Sequence, residues 1–348
     1  MLFRKKNVTL HCIHVILSII AMDNKHTTPI VTFVVTCHNH TATMIEETIG
    51  NILELSLSNV ERQIVVVDDG SDMCPMNELM PLADNIIYIR MPYGGTGAAR
   101  NTGIALATGQ YLQFVDAGDT LVKAAYEHCL DIVRYKSPDM VMFNHTAKSK
   151  ESVTVATTDD RPLSGAEFMR NNSMRGMACG YVFRRDILHN LRFPSDIVHE
   201  DEEFTPQLVL RCESLFRVQV DAYCRNNHTT MTVADKDNRW KLKRLDDTET
   251  VIKRLHRRAD TLPYEERQAM QRRVAQLTMD YLHDVIVVTR SKHHLNERIE
   301  SLEREGLFPL PEKAYTKRYL MFSRLVKSSV GRNILLLTLP LASWKKIR

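Results

Sequence analysis

The run YLQFVDAGDT, residues 111–120, ends an apolar stretch on two acids, Asp116 and Asp119, with only Ala117 and Gly118 between them. Two carboxylates that close repel each other unless something positive sits between them, so the pair suits a cation or a metal-bearing ligand. A second acidic end is Asp68 and Asp69 in RQIVVVDDGS, and a third cluster is HEDEEF, residues 199–204. A carboxylate in such a place can take a proton from a hydroxyl or hold a divalent ion. For HEDEEF a structural reading competes, because acids at a helix N-terminus are stabilised by the helix dipole.

These acids need elements to position them. PIVTFVVTCHN reads as a buried strand rich in β-branched residues, and TATMIEETIGNILEL follows with Ile45, Ile49, Ile52 and Leu53 at helical spacing. RQIVVVDDGS, NIIYIRM, YLQFVDAGD and DMVMFN read as four more strands, with helices at GTGAARNTGIALATG and LVKAAYEHCLDIVRY. Strands alternating with helices imply an α/β fold whose mostly parallel sheet is covered on both faces. In such sheets ligands bind beyond the carboxyl ends of the strands. If the strands are neighbours, Thr36 to Asn39, Asp68 and Asp69, and Asp116 to Asp119 meet in one crevice.

Past residue 145 the alternation breaks down. KSKESVTVATTDDRP is a polar excursion, and SGAEFMRNN, ACGYVF and SLFRVQV supply further elements. From about residue 236 the chain reads as helical, with Met270, Val274, Leu277, Tyr281 and Val285 marking one amphipathic helix. The expected division is a leader or mis-assigned start over 1–25, the α/β domain over 26–235, a helical region over 236–312 and a basic amphipathic tail over 313–348. The leader has a basic start and an apolar stretch too short to span a bilayer, and translation beginning at Met22 explains it equally well.

The chain has 348 residues, 44% hydrophobic and 25% charged, which excludes a disordered or fibrous protein. Its seven cysteines form no C-x-x-C pair, so neither a zinc site nor a disulfide framework is indicated, and free thiols fit a reducing cytoplasm. Residues 313–348 hold nine Lys or Arg and no acid, whereas residues 1–312 hold 37 basic and 42 acidic residues.

GGTGAARNTG, Gly94 to Gly103, invites a dinucleotide-binding reading, but the fingerprint needs glycine where this chain has Arg100, and the turn follows the third strand rather than the first. The motifs taken in order fit better elsewhere. VTFVVTCHN, VVVDDGSD, GAARNTGIALATGQYLQFVDAGD and HEDEEF together resemble a family 2 glycosyltransferase with the GT-A fold, over about residues 29–230. The resemblance implies transfer of a sugar, with inversion, from a nucleotide-diphosphate donor, a UDP-sugar first, to a hydroxyl of a glycan or lipid-linked acceptor in surface polysaccharide synthesis. It implies that Thr36, His38 and Asn39 hold the base and ribose, with His38 where the family usually has Tyr. Asp69, with Asp68 beside it, meets the base, and Arg100 lies near the donor phosphates. Asp116 to Gly118 stand at the D-x-D metal signature, whose third residue is usually Asp. With Gly118 there, Asp116 and Asp119 are left to hold Mg²⁺ or Mn²⁺ with shifted geometry or through water, or metal dependence is weakened. Asp201 is the implied base that takes the acceptor proton, with Glu200 as its rival. Tyr223, Arg225 and His228 resemble the segment that closes the catalytic domain and can reach the diphosphate.

Two other classes compete: a sugar-nucleotide-binding scaffold without turnover, which Gly118 favours, and a nicotinamide oxidoreductase, which Arg100 disfavours. The basic tail mixes cations with Tyr315, Tyr319, Phe322, Ile334 to Leu337 and Trp344. Nucleic-acid binding would explain the charge but not the leucines. An anionic membrane surface explains both. The resemblance fits such attachment, because many similar enzymes use lipid-linked acceptors at the cytoplasmic face, so the expectation is a cytoplasmic protein, peripheral on the inner membrane face. The competing reading is a C-terminal helix packed on the catalytic domain.

Overall fold

A computed structural model describes residues 28–147, 161–226 and 238–340. The leader, most of the polar excursion, His228 and the last eight residues lie outside the described residues.

Among the described residues eight strands form one sheet. β1 (Val31–Cys37), β2 (Arg62–Asp69), β3 (Ile87–Met91) and β4 (Tyr111–Asp116) run parallel in the order β3-β2-β1-β4. The sheet continues through β7 (Tyr181–Arg184), β6 (Met140–Thr146), β8 (Leu215–Cys224) and β5 (Thr120–Leu121). β7 is antiparallel to both of its neighbours, and β5 is antiparallel to β8. All seven residues of β1 are buried, which is why its sequence shows no alternation of apolar and polar positions. Cover comes from α1 (Ala42–Leu53), α2 (Thr96–Leu106), α3 (Lys123–Lys136), α4 (Gly165–Asn171) and α5 (Glu200–Val209). In α1 the residues Ile45, Thr48, Ile49 and Ile52 face the core, and Thr41 caps its start by accepting from the Met44 amide.

Among the described residues five helices follow: α6 (Asn238–Asp260), α7 (Tyr264–Thr289), α8 (Lys292–Arg304), α9 (Lys317–Lys327) and α10 (Ser329–Thr338). They enclose a second apolar core, in which the expected face of α7 (Met270, Val274, Leu277, Tyr281 and Val285) is buried. The described part of the basic tail is packed helix, with Tyr319, Phe322, Val326, Leu335 and Leu339 inside that core. Among the described residues no helix is long and apolar enough to cross a membrane.

The two cores abut. Ala269 of α7 joins the sheet core, while Ile197 and Leu210 pack against the helical one. Polar bonds reinforce the contact: Gln276 Nε2 donates to Ser173 Oγ at 2.9 Å, and Arg272 donates to the Arg170 carbonyl. The helical region therefore lies against α4 and the start of α5.

Candidate active site

The carboxyl ends of β1, β2 and β4 lie side by side. Thr36 is in register with Asp116, and Cys37 with Asp68. The three polar ends thus meet as the sequence suggests, but their acids do different things.

Asp68 is fully buried and its carboxylate is spent inside the protein. It accepts from the Ser71 amide (2.9 Å), Ser71 Oγ (2.6 Å) and Tyr88 Oη (2.8 Å), and Arg90 Nε lies 3.4 Å away. This corrects its expected place in the nucleotide pocket: Asp68 shapes the turn after β2. Asp69 Oδ1 accepts from the Gly94 amide at 2.7 Å and so ties the glycine turn to β2. His38 Nδ1 donates to the Asp69 carbonyl at 2.7 Å, and its ring centroid lies 4.8 Å from that of Tyr93. Asn39, with φ of 56°, is pinned to the next loop. Its amide donates to Ser71 Oγ, its Nδ2 donates to Asp72 Oδ2, and its Oδ1 accepts from the Asp72 amide. Asn39, Asp72 and Glu78 line a cavity of about 400 Å³.

Sequence reading missed Tyr93. Its ring is 70% exposed beside His38, so it offers the aromatic face that His38 alone does not. The available signal was an aromatic residue in MPYGG, directly beyond the third strand.

At the end of β4, Asp119 points inward. Its Oδ2 accepts from Tyr223 Oη at 2.8 Å and its Oδ1 from the Asn226 amide at 3.0 Å. Burial, and then the charge of Asp116, push its carboxyl up to about 6. Each oxygen of Asp119 thus already accepts one hydrogen bond inside the protein, which leaves Asp116 as the more open of the two expected ion ligands. Gly118 explains why no third acid stands here. Its φ is +87°, and a Cβ would lie 2.7 Å from Met44 Cε. An aspartate at this position would be strained in a conformation glycine adopts freely.

Asp116 is the acid left open, with its side chain 40% exposed. Among the described residues no three His, Cys, Asp or Glu side chains group to hold an ion. The donor set fits a hard divalent ion only if phosphate oxygens and water complete it, as Mg²⁺ permits.

Arg100 is not where the sequence suggests. Its guanidinium is buried, donating from Nη1 to Glu200 Oε1 at 2.8 Å and from Nη2 to Asp116 Oδ1 at 3.2 Å. It lies against the rings of Phe114 and Phe193, at 6.0 and 5.4 Å. Among the described residues its remaining Nε has no hydrogen-bond partner. Instead of reaching toward a diphosphate, Arg100 ties β4 to α5. Burial alone would raise the carboxyl of Asp116, but the charge and hydrogen bond of Arg100 outweigh it and hold the group below its ordinary range.

The head of α5 separates the four acids of HEDEEF. Glu200 is bound to Arg100. Glu202 is bound to Arg273 of α7 and also accepts from the Gly176 amide at 2.9 Å. Glu203 pairs with Arg254 of α6 at 3.2 Å. Asp201 alone has no hydrogen bond or ion pair from its carboxylate among the described residues. It lines a cavity of about 300 Å³ between the sheet domain and the helices, together with Arg175, Met177, Arg225, Thr248 and Tyr281. Burial, then the charge of Glu202, push its carboxyl up to about 8 against the pull of Arg100. The segment before α5 is tightly apposed: a Cβ on Gly176 would run into Glu202 Cα and the Asp201 carbonyl. The pairings of Glu202 and Glu203 also escaped sequence reading, because their arginines stand 71 and 51 residues downstream.

The sheet domain with an acid-lined crevice at its strand ends is that of a GT-A glycosyltransferase. Staphylococcus aureus TarS 1–349 in complex with UDP-GlcNAc has the same fold, with a TM-score of 0.62 at 15% identity over 89% of this chain and 90% of that one. The mannosyltransferase PcManGT from Pyrobaculum calidifontis, in complex with GDP-Man and Mn²⁺, gives 0.52 at 15% identity, covering 92% and 89%. In sequence, EpsH of Bacillus subtilis is 27% identical over 193 residues, 51% of this chain and 54% of that protein. The glycosyltransferase GlyA of Streptococcus pneumoniae is 32% identical over 199 residues, 51% of this chain and 28% of that protein. The chain spans about half the length of the curated relatives it matches. Residues 32–192 match the model of Glycosyl transferase family 2.

The two buried arginines generate distinct expectations. Arg100→Met leaves Asp116 and Glu200 without their cation and should cost about 3–5 kcal/mol in denaturant unfolding. Unchanged stability would mean the guanidinium is not the tie described. Arg273→Met should destabilise similarly, and adding Glu202→Gln should recover most of the loss. Failure of that second change to help would separate Arg273 from Glu202.

Proposed function

We propose that the protein is an inverting glycosyltransferase that moves a sugar from a nucleoside-diphosphate donor, a UDP-sugar first, to a hydroxyl of a glycan or lipid-linked acceptor. The observation that carries this reading is Asp201. Three of the four acids at the head of α5 are paired with named arginines, and Asp201, on the wall of a cavity, has no hydrogen bond or ion pair from its carboxylate among the described residues.

Inverting transfer is one in-line displacement at the anomeric carbon. The acceptor oxygen attacks from the face opposite the leaving diphosphate and must lose its proton. In this reading Asp201 takes that proton, and its raised affinity for protons makes it a stronger base than an ordinary carboxylate. The donor base and ribose lie against His38, Tyr93 and Asn39, with Asp69 fixing the glycine turn beside them. Arg225, exposed at the cavity and electrostatically coupled to Asp116 and Asp119, is the cation facing the diphosphate in place of Arg100. Asp116 would hold the divalent ion, which when bound neutralises charge on the departing diphosphate. The nucleotide-sugar complexes of TarS and PcManGT, and the Mn²⁺ of the latter, support the donor class and the ion. The inward turn of Asp119 favours a second reading, a sugar-nucleotide-binding scaffold without turnover. Binding of the donor with no transfer to any acceptor would select it.

Asp201→Asn should lower transfer by about 10²–10⁴-fold while leaving donor affinity nearly intact. Loss of both together would remove Asp201 from the role of base. Since the base must be ionised, transfer by the parent protein should climb as pH rises toward about 8. Stability supplies a check that needs no substrate. An acid whose folded pKa lies above its unfolded one weakens the fold as pH rises between the two. Asp201→Asn should therefore match the parent below pH 3.8 and exceed it, by on the order of 1 kcal/mol or more, above pH 8. Equal stability at both ends would mean that Asp201 is not strained in its ionised form.

Calorimetric titration with UDP and GDP, with and without Mn²⁺, tests donor and ion together. Mn²⁺ should tighten UDP binding, Asp116→Asn should abolish that gain, and Asp119→Asn should preserve most of it. A gain that depends on Asp119 would restore the two-acid ion site, and no binding of either nucleotide would overturn the donor assignment.

A further inference from the structure

α10 is apolar on two opposite faces. Its inner face, Leu335 and Leu339, is 2% exposed and packs with Phe322 and Val326 of α9 in the helical core. Its outer face carries Val330, Ile334 and Leu337, which are 71%, 45% and 72% exposed. These three stand at i, i+4 and i+7, the spacing of a single stripe along the helix. On a surface helix such a stripe ordinarily faces the core, but that side of α10 is already used by Leu335 and Leu339. On α9 the exposed Met321, flanked one turn away on each side by the exposed Lys317 and Arg324, adds to the outward apolar surface.

Charge says what kind of occupant fits. Residues 313–348 hold nine Lys or Arg and no Asp or Glu, although the rest of the chain is net acidic. A face for a neutral protein partner has no need of that excess. An apolar stripe on a cation-rich segment, with Glu312 paired to Lys327 at 2.8 Å beside it, has the composition of a helix that lies in the headgroup region of an anionic bilayer. There the apolar residues enter the acyl boundary while Lys and Arg meet lipid phosphate, an attraction confined to about a Debye length.

We propose that the outer face of α10, with Met321 and the cations of α9, docks the protein on an anionic lipid bilayer. This goes beyond the transferase reading and does not rest on it, because none of these side chains lines the cavity at Asp201. Packing of the tail and membrane contact, competing readings at the level of sequence, become two faces of one helix.

The test is flotation of the full-length protein with phosphatidylcholine vesicles, with and without phosphatidylglycerol. The protein should float only with the anionic vesicles, and less so at high salt. The triple variant Val330→Gln, Ile334→Gln, Leu337→Gln should weaken partitioning by about tenfold or more. Lys317→Glu with Arg324→Glu should weaken it too. Both variants should keep the parent melting temperature, since every substituted residue is exposed. Absence of binding to anionic vesicles overturns the proposal, as does equal binding to neutral ones or a triple variant that floats like the parent. A dimer in solution that the triple variant dissociates would assign the stripe to a second copy and likewise overturn it.

Discussion

The site depends on one buried guanidinium. Taking Arg100 out of water costs several kcal/mol, and only close pairing with good hydrogen-bond geometry offsets that. The offset comes from Asp116 at the end of β4 and Glu200 at the start of α5, with the faces of Phe114 and Phe193 against the charge. Because both acids must stay close to Arg100, the strand end and the helix start are fixed relative to each other. Asp116 is held below its ordinary range in spite of burial, Glu200 is held on the guanidinium, and Asp201 lines the cavity one residue further along the helix. A single buried cation thereby sorts three carboxylates into different tasks.

Asp119 shows the same logic with a hydroxyl in place of a cation. Tyr223 Oη donates to Asp119 while accepting from the Asp116 amide at 3.1 Å, so one buried group bridges the two acids of the strand end. Asn226 adds two more bonds, to Asp119 Oδ1 and to the Gly118 carbonyl. The repulsion expected of DAGD is eased by turning one acid inward onto the donors of Tyr223 and Asn226. The left-handed Gly118 between them is what allows the turn.

The elements were largely legible in the sequence and the partnerships were not. The β-branched runs of β1 and β2, and the 3.6-residue spacing of α1 and α7, are local signals, and local chemistry is enough to read them. The place of Asp69, Asp116 and Asp201 at element ends follows from those boundaries. Which acid is spent and which is open depends on groups far away in the chain: Arg100 meets Glu200 across 100 residues, and Tyr223 meets Asp119 across 104. No periodicity encodes such pairs. Asp68 was misplaced for this reason, since nothing in DDGS tells which of two adjacent acids faces Tyr88 and which the crevice.

The helical region is part of the site and not an appendage to it. Arg273 and Arg254 reach from α7 and α6 to Glu202 and Glu203, while Arg244 Nε donates to His199 Nε2 and Asp247 accepts from the Val198 amide. The turn leading into α5 is therefore held from outside the sheet domain. Thr248 and Tyr281, from those same two helices, wall the cavity at Asp201. Burial is the largest cause of that residue's raised proton affinity, and part of the burial is supplied by these helices. A loosened contact between the two cores would admit water to the cavity and return Asp201 toward an ordinary carboxylate. In this arrangement the proton affinity of Asp201 is set by the packing of α6 and α7 as well as by the helix that carries it.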